Sequence, residues 1–296
     1  MADNKPIPCK PIKEIITGPV PSLSFEVFPP KTSVNFENVD KAVKAISTLS
    51  PSYMSVTYGA GGGTSQYTVN IAEKLKNEYG VTPLAHLSCV SSTKAEIHSM
   101  LEELKQKGIT NVLALRGDLP EGFTAGSLDY KYASELVAEI KEFGGFCIGG
   151  ACYPESHPES PTSMDDIKYL KEKTDMGCDF LTTQMFFDNN ILYNFMYRIR
   201  EAGINVPVVA GIMPVTNAKQ IKRICELSGT ALPQRFLRIV DRYRDNPSAM
   251  KQTGIAFATE QIIDLFANGI NAVHIYSMNN FEVAKKIKEN VSEIIK

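Results

Sequence analysis

An acidic residue in the first apolar segment is the first candidate for chemistry. Glu26 stands in LSFEVF, and strand alternation would place Ser24, Glu26 and Phe28 on one face of a strand. In a barrel that face is the interior. Burial among apolar neighbours raises a carboxyl pKa and can keep the group protonated near neutral pH, which suits a general acid. The alternative is a structural carboxylate that hydrogen-bonds a neighbouring loop.

Other polar side chains lie near the ends of later apolar segments. His86, in PLAHLS, could be a ligand, a proton carrier or a hydrogen-bonded core histidine. The corner LALRGD carries Arg116, Gly117 and Asp118, and its glycine would let the backbone approach a ligand closely. The two charged residues of that corner could instead form only a local ion pair. Gln184, in TTQMFFD, could donate and accept at a heterocycle edge or bond an adjacent loop.

Two loops add further candidates. The loop VTYGAGGGTSQ has Gly59 and Gly61 but carries Thr64 where the dinucleotide fingerprint GxGxxG needs its third glycine. That sequence disfavours a Rossmann site, although its backbone N–H groups could still bind a phosphate or a flat ring. The loop CYPESHPES, with Tyr153 and His157, is too long and too polar for a simple turn.

These residues are positioned by a repeating pattern of strand and helix. Eight short apolar segments each end in a polar or glycine-rich corner and are followed by a helix-like stretch, which predicts an α/β fold, a (β/α)₈ TIM barrel. Their polar ends should meet at one mouth of the barrel. The segments are Leu23 to Phe28, Tyr53 to Tyr58, Thr82 to Val90, Asn111 to Arg116, Phe146 to Tyr153, Phe180 to Phe187, Pro207 to Met213 and Ala272 to Met278.

The pattern also predicts the organisation of the chain. Residues 1–21 are proline-rich and indicate an N-terminal arm or short helix, and residues 22–296 form a single catalytic barrel domain. The interval from Ser228 to Asn268 predicts extra helices before the last strand.

Composition narrows the possible partners and compartment. A net charge of −2 with dispersed lysines and arginines argues against nucleic acid. Six cysteines without a CxxC pair indicate a reduced, cytoplasmic protein, and no segment is apolar enough for a membrane span. No lysine lies in a strand segment, which disfavours a Schiff-base aldolase, and acids do not recur at successive strand ends, which disfavours a metal site. An organic cofactor and a heterocyclic substrate fit the remaining groups.

At FEVFPPK, VTYGAGG, AHLSC, LALRGD, YPESHPE and TQMFFD the chain closely resembles the methylenetetrahydrofolate reductase family of the short bacterial type, from about Leu23 to the C-terminus. The resemblance implies a (β/α)₈ barrel that binds FAD and reduces methylenetetrahydrofolate to methyltetrahydrofolate by a ping-pong route, with NADH or NADPH as the donor. We also expect a homo-oligomer.

The resemblance assigns roles residue by residue. Glu26 matches the general acid that protonates the bridging nitrogen and opens the methylene bridge to an iminium, before the flavin delivers hydride. Asp118 matches an aspartate near flavin and pterin that stabilises positive charge. The matched FAD positions are Thr57, Tyr58, Ala60, His86, Arg116, Gly117, Asp118, Ala133, Tyr153, His157, Asp166 and Lys173. The expected substrate-binding residues are Glu26, Thr57, Asp118, Gln184, Gln220 and Tyr276.

Three positions depart from the family pattern and concern the electron donor and the flavin. Ile224 stands where better known members carry a stacking phenylalanine, Asn280 replaces an arginine after the last strand, and Glu172 replaces an arginine of the FAD segment. An alternative therefore keeps the flavin and folate sites but takes electrons from a partner protein within an electron-transfer complex. A further alternative is a barrel that binds folate and transfers its methyl group without reduction.

Overall fold

Eight parallel strands close into one barrel in the computed structural model, which describes residues 9–30, 36–58, 65–90, 92–118 and 129–296. Each strand pairs with the next in sequence, and β8 returns to pair with β1. This arrangement confirms the predicted (β/α)₈ barrel. The strands are β1 (Ser22–Val27), β2 (Met54–Val56), β3 (Pro83–Ser88), β4 (Asn111–Leu115), β5 (Cys147–Cys152), β6 (Phe180–Thr183), β7 (Val208–Ile212) and β8 (Ala272–Ile275).

Helices follow the strands, and two additional helices interrupt the alternation. Helices α9 and α10 lie between α8 and β8, as the long interval before the last apolar segment predicted. The helices are α1 (Ile12–Ile16), α2 (Phe36–Ser47), α3 (Ser65–Asn77), α4 (Lys94–Gln106), α5 (Ala133–Phe143), α6 (Ser163–Asp175), α7 (Asn189–Glu201), α8 (Ala218–Ser228), α9 (Gln234–Tyr243), α10 (Pro247–Ala267) and α11 (Phe281–Asn290). Within the described ranges, no helix is both long and apolar enough to cross a membrane.

Alternation along β1 decides which side chains reach the barrel interior. Phe25 and Val27 belong to the main hydrophobic core, together with Val43 of α2, so they face the surrounding helices. Ser24 and Glu26 occupy the opposite face of the strand, as expected from the period of two residues.

The N-terminal end of the barrel is closed by α1. Ile12 and Ile16 are buried in a small apolar cluster with residues of several strands, including Leu113 and Phe180. The buried side chain of Asn111 accepts a hydrogen bond from the backbone N–H of Ile12 at 2.9 Å. A cavity of about 420 Å³ lies beside this helix and is lined by the segment before β1 and by residues near the C-terminus, so it opens away from the predicted mouth.

Candidate functional site

Glu26 lies inside the barrel among polar side chains from three other strands. Its Oε2 atom is 3.6 Å from Nε2 of His86 on β3 and 4.0 Å from Nε2 of His274 on β8. Burial raises the pKa of Glu26 to about 8, while a hydrogen bond with Ser55 on β2 opposes that shift. The carboxyl group therefore keeps its proton near neutral pH, as burial on the interior face of the strand predicted, although the side chains around it are polar and not apolar.

Both histidines that face Glu26 are uncharged in this environment. Burial lowers the pKa of His86 to about 3, and burial lowers that of His274 to about 3 as well. The Nε2 atom of His86 is buried and has no hydrogen-bond partner among the described residues. The site therefore contains a neutral carboxylic acid beside a neutral imidazole whose Nε2 atom makes no hydrogen bond to the described residues.

His274 is a site residue that the sequence analysis missed. Its Nδ1 atom lies 2.7 Å from Oγ of Ser24, and its Nε2 atom lies 3.0 Å from Oγ of Ser55. The ring stacks on Tyr53 and meets Tyr276 edge-on, with centroids 5.6 Å apart in each pair. A signal was present in AVHIYSM, because His274 and Tyr276 are two residues apart and so share a strand face.

Residues that follow β8 hydrogen-bond the backbone at the end of β1. Ser277 donates a hydrogen bond from Oγ to the carbonyl of Glu26 at 2.8 Å. The Asn279 side chain accepts from the N–H of Phe28 at 2.8 Å and donates to the carbonyl of Phe28 at 3.0 Å. These bonds hold the backbone from Glu26 to Phe28, so the end of β1 that carries the carboxyl group is held at a defined position in the mouth.

Arg116, in the corner after β4, pairs with Glu159 and not with Asp118, the partner that the sequence suggested. Arg116 donates to both carboxylate oxygens of Glu159, at 2.5 and 2.6 Å. That geometry replaces the local Arg116–Asp118 ion pair considered as an alternative. Asp118 itself is exposed. Gly117 has φ +90°, and a Cβ there would lie 2.2 Å from Oγ of Ser88, so the corner requires glycine.

The polar loop after β5 folds over this corner. Tyr153 and His157 meet edge-on with ring centroids 4.6 Å apart. Burial and the charge of Asp118 raise the pKa of Tyr153 to about 12, which places that tyrosine within electrostatic reach of the LALRGD corner. Burial is also the main cause that lowers the pKa of His157. Arg116, Asp118, Tyr153 and His157 therefore form one group.

Two matched FAD positions lie on helix α6. Asp166 is buried and accepts a hydrogen bond from Oγ of Ser160 at 2.8 Å. Lys173 donates from Nζ to the carbonyl of Ala151 on β5, and burial lowers its pKa. Both side chains thus already have partners within the protein.

The remaining matched FAD positions lie just after β2 and at the start of α5. Thr57 donates its N–H to the carbonyl of Val27 at 3.0 Å, and Tyr58 packs against the core. Ala133 is the first residue of α5. Ala60 lies outside the described residues.

The predicted substrate residues divide between the strand ends of the barrel and helix α8. Gln184 follows β6 and accepts the N–H of Met185 at 3.0 Å through Oε1. Tyr276 donates from its hydroxyl to the carbonyl of Thr183 at 2.6 Å. Gln220 is exposed on α8 and lines a small cleft formed with the loop after β7.

The departures from the family pattern have structural roles of their own. Ile224 lines the same cleft as Gln220 and packs on the apolar cluster between α8 and α9. The side chain of Asn280 accepts the N–H of Val283 at 3.2 Å and so caps α11. Glu172 is exposed on α6. Among the described residues, no group of three or more His, Cys, Asp or Glu side chains is arranged to hold a metal ion.

Comparison with known proteins agrees with this architecture. A family model described as methylenetetrahydrofolate reductase matches residues 12–292. Methylenetetrahydrofolate reductase (NADH) 1 of Arabidopsis thaliana is 36% identical over 282 residues, which cover 90% of this chain and 48% of the plant protein. The 5,10-methylenetetrahydrofolate reductase of Escherichia coli K12 is 34% identical over 266 residues, which cover 90% of this chain and 89% of the bacterial protein. The chain thus spans about half the length of the plant relatives it matches.

Solved structures resemble the barrel at low sequence identity. An uncharacterized protein from Clostridium thermocellum that binds two copies of 5-methyl-5,6,7,8-tetrahydrofolic acid has a TM-score of 0.68 at 15% identity, covering 95% of this chain and 99% of that one. A mutant tryptophan synthase alpha-subunit from Pyrococcus furiosus has a TM-score of 0.55 at 13% identity, covering 92% and 97%. These likenesses concern the fold. The family model spans nearly all of the sequence and the bacterial relative matches over most of its own length, which confirms the resemblance drawn from the motifs: the chain belongs to the methylenetetrahydrofolate reductase family.

Proposed function

We propose that this protein is an FAD-dependent oxidoreductase that reduces 5,10-methylenetetrahydrofolate to 5-methyltetrahydrofolate by a ping-pong route, with electrons from NADH or NADPH. The observation that carries the proposal is the buried Glu26 carboxyl, whose pKa of about 8 keeps a proton available near neutral pH. A reduction that begins with protonation of a folate nitrogen needs an acid of this kind. The activities named for the relatives support the same reaction class.

The described residues fit a flavin at three points. The buried Nε2 atom of His86 has no partner there and could bond a polar atom of the heterocycle. Gly117 lets the backbone of the LALRGD corner approach closely, since it has no Cβ. Arg116 supplies a cation for a phosphate, which would share or displace Glu159. When bound, FAD supplies hydride transfer between the nicotinamide and the one-carbon unit.

The protein's own groups then divide the remaining work. Glu26 holds the proton and gives it to the bridging nitrogen of the folate, so the methylene bridge opens. Asp118 contributes a negative charge near the positive charge that develops on the folate. Gln184 and Gln220 bind polar edges of the substrate, and Tyr276 shapes the pocket floor beside His274.

The domain, compartment and assembly follow as parts of the same proposal. Residues 22–296 act as one catalytic domain, with the preceding segment closing the barrel. All six cysteines are free thiols, which supports a cytoplasmic location. We also propose a homo-oligomer.

The decisive test separates the two half-reactions in Glu26→Gln, with Glu155→Gln as the control. Glu155 is another carboxyl with a pKa raised by burial, but it lies in the loop after β5 and accepts the N–H of Ala231. Glu26→Gln should retain FAD and accept electrons from NADH. Its folate half-reaction should fall by roughly 100-fold to 10,000-fold, the usual cost of losing general acid catalysis. Normal folate turnover in Glu26→Gln would contradict the assignment.

A second candidate keeps the flavin and folate sites but takes electrons from a partner protein. It is favoured by Ile224, which offers no aromatic face in the cleft beside Gln220, and by Asn280, which caps a helix instead of supplying a positive charge. Purified protein that oxidises NADH with menadione as acceptor would support the nicotinamide route. A yellow preparation with flavin absorbance would exclude the third possibility, a folate-binding methyl-transfer barrel without a flavin.

A further inference from the structure

The cavity beside α1 is a second concave site of this barrel, and we call it the base cavity. Its volume is about 420 Å³, within the range of about 300 to 1,000 Å³ that small-molecule sites usually have. None of the described residues matched to the flavin or the folate lines it. The base cavity is therefore separate from the mouth that holds Glu26. Its lining includes Lys10, Glu14, Ile15, Val20, Ser52 and Lys288.

Two lysines and one glutamate supply the charged groups of the base cavity. Lys10 precedes α1 and is exposed, Glu14 lies within α1, and Lys288 lies on α11. Lys13 and Lys286 nearby form ion pairs, whereas the three cavity side chains form none with the residues that the structure describes. Charges of both signs are thus available to a ligand.

Lys288 is the cavity residue that most needs a partner. Its side chain is partly buried, and burial lowers its pKa without any nearby charge that opposes the shift. An ammonium group that loses water without gaining a counter-ion is destabilised. A carboxylate in the base cavity would supply that counter-ion through a charge-assisted hydrogen bond.

A hydroxyl group at the cavity wall can bind the same carboxylate. Oγ of Ser52, in the segment before β2, accepts the N–H of Leu23 at 3.1 Å. The hydroxyl proton of Ser52 is not used in that bond, so it remains available to an acceptor. Hydrogen bonds to a charged group are stronger than those between neutral groups.

Apolar side chains form another part of the wall. Val20 lines the cavity and is 45% exposed, although it is a large apolar residue. Ile15 also lines the cavity and packs on the small apolar cluster beneath α1. An aliphatic group placed against these side chains would be removed from water, which is favourable.

We propose that the base cavity binds a free α-amino acid with an aliphatic side chain. The carboxylate of this ligand pairs with Lys288 and accepts from Ser52, and its ammonium group pairs with Glu14. Its side chain packs on Ile15 and Val20. A ligand with only one of the two charges would leave either the glutamate or the lysine without a counter-ion. The proposal does not depend on the proposed function, because the two sites share no residue.

Three ligands with one carbon skeleton test the charge pattern. L-leucine carries both charged groups, isocaproate lacks the ammonium group, and isoamylamine lacks the carboxylate. In calorimetric titrations of the purified protein with added FAD, L-leucine should bind at least about tenfold more tightly than either analogue, the equivalent of one charge-assisted hydrogen bond. Equal binding of L-leucine and either analogue would overturn the proposal. Absence of L-leucine binding at millimolar concentrations would also overturn it.

Two charge variants test whether the ligand lies in the base cavity. Lys288→Met removes the charge but keeps a long side chain, so it should weaken L-leucine binding at least about tenfold. Glu14→Gln should abolish the preference for L-leucine over isocaproate. Lys286→Met is the matched control, because Lys286 lies on the same helix, pairs with Glu289 and does not line the cavity. Unchanged affinities in both charge variants would show that L-leucine binds elsewhere, against the proposal.

A filled cavity gives a test that leaves the charges in place. Val20→Trp adds a large ring at the wall and should abolish L-leucine binding. In the unmodified protein, saturating L-leucine should raise the thermal midpoint, because a ligand that binds only the folded state stabilises it. That increase should be absent in Val20→Trp, whose own cooperative transition shows that it is folded. A folded Val20→Trp protein that binds L-leucine as tightly as the unmodified protein would refute the site.

Discussion

Nε2 of His86 lies 3.6 Å from Oε2 of Glu26, and burial keeps both groups uncharged near neutral pH. The contact is therefore not an ion pair. An acid with a pKa of about 8 faces a base with a pKa of about 3, so the proton stays on the carboxyl group until a stronger acceptor arrives. The same shifts make the stability of the fold depend on pH in two opposite ways.

Glu26 should destabilise the fold as pH rises. Its pKa is raised from 4.5 to about 8, so its favourable contribution is complete below pH 4.5 and is lost as pH rises through about 8. Glu26→Gln cannot ionise and should gain stability relative to the unmodified protein across that window, by about 1.4 kcal/mol per pH unit at most. Urea unfolding at several pH values measures the difference. A difference that stays constant with pH would show that the carboxyl group ionises normally in the folded protein.

The buried, neutral His86 should make the folded protein less stable as pH falls. Its pKa is lowered from 6.5 to about 3, so its contribution is present above pH 6.5 and is lost as pH falls towards 3. His86→Gln should reduce the loss of stability in that window. The comparison with His98→Gln is informative, because the His98 side chain is half exposed on α4. If the stability of the two variants falls equally steeply with decreasing pH, His86 is not a buried neutral group.

The interior face of β1 was predictable, because alternation is a local property of the chain. Leu23, Phe25 and Val27 identify one face of the strand, so Glu26 had to lie on the other. The partner of Arg116 was not predictable in the same way. Glu159 lies 43 residues later, in a loop whose path depends on packing, and no sequence period connects the two.

His274 shows a different limit. Its strand and its face follow from the apolar pattern, but its importance depends on the register that puts it opposite Ser24. That register is a property of the closed barrel and involves residues 250 positions apart. A single sequence predicts which strand face such a residue occupies, but it does not predict which residue it contacts.

Gly117 should be intolerant of any side chain. A Cβ would lie 2.2 Å from Oγ of Ser88, and the backbone has φ +90°. Gly117→Ala should cost about 1 to 3 kcal/mol from backbone strain, plus the cost of moving Ser88. Gly80→Ala is the control, since Gly80 has φ +65° and nothing within 4 Å of its Cβ position. Equal urea-unfolding losses in the two variants would show that the close approach carries no penalty.

Asp118 should tune the flavin through its charge. Asp118→Asn retains the shape of the side chain, and we expect it to raise the flavin midpoint potential and slow folate reduction. It should also lower the pKa of Tyr153, because the charge of Asp118 is one cause that raises it, after burial. Asp129→Asn is a suitable control, since Asp129 is an exposed acid that accepts the N–H of Lys94. If Asp118→Asn leaves the flavin midpoint potential and the folate kinetics unchanged, Asp118 is only an exposed surface charge.

The cleft beside α8 should limit how well the protein uses a nicotinamide donor. Ile224 and Gln220 line this cleft with Met278, and none of the three has an aromatic ring. A stacking contact on a nicotinamide is worth about 0.5 to 1.5 kcal/mol. We therefore expect a higher donor KM than in family members with phenylalanine at this position.

Ile224→Phe should lower the donor KM by about twofold to tenfold, the equivalent of that stacking energy. Oxidation of methyltetrahydrofolate by an artificial acceptor should not change, because that assay bypasses the donor. Leu227→Phe adds the same ring on the same helix at a side chain that is 74% exposed, so it controls for ring addition alone. Stopped-flow flavin reduction measures the effect. Tight and fast reduction by NADH in the unmodified protein would mean that other residues hold the dinucleotide, and the route through a partner protein would then have no support from Ile224.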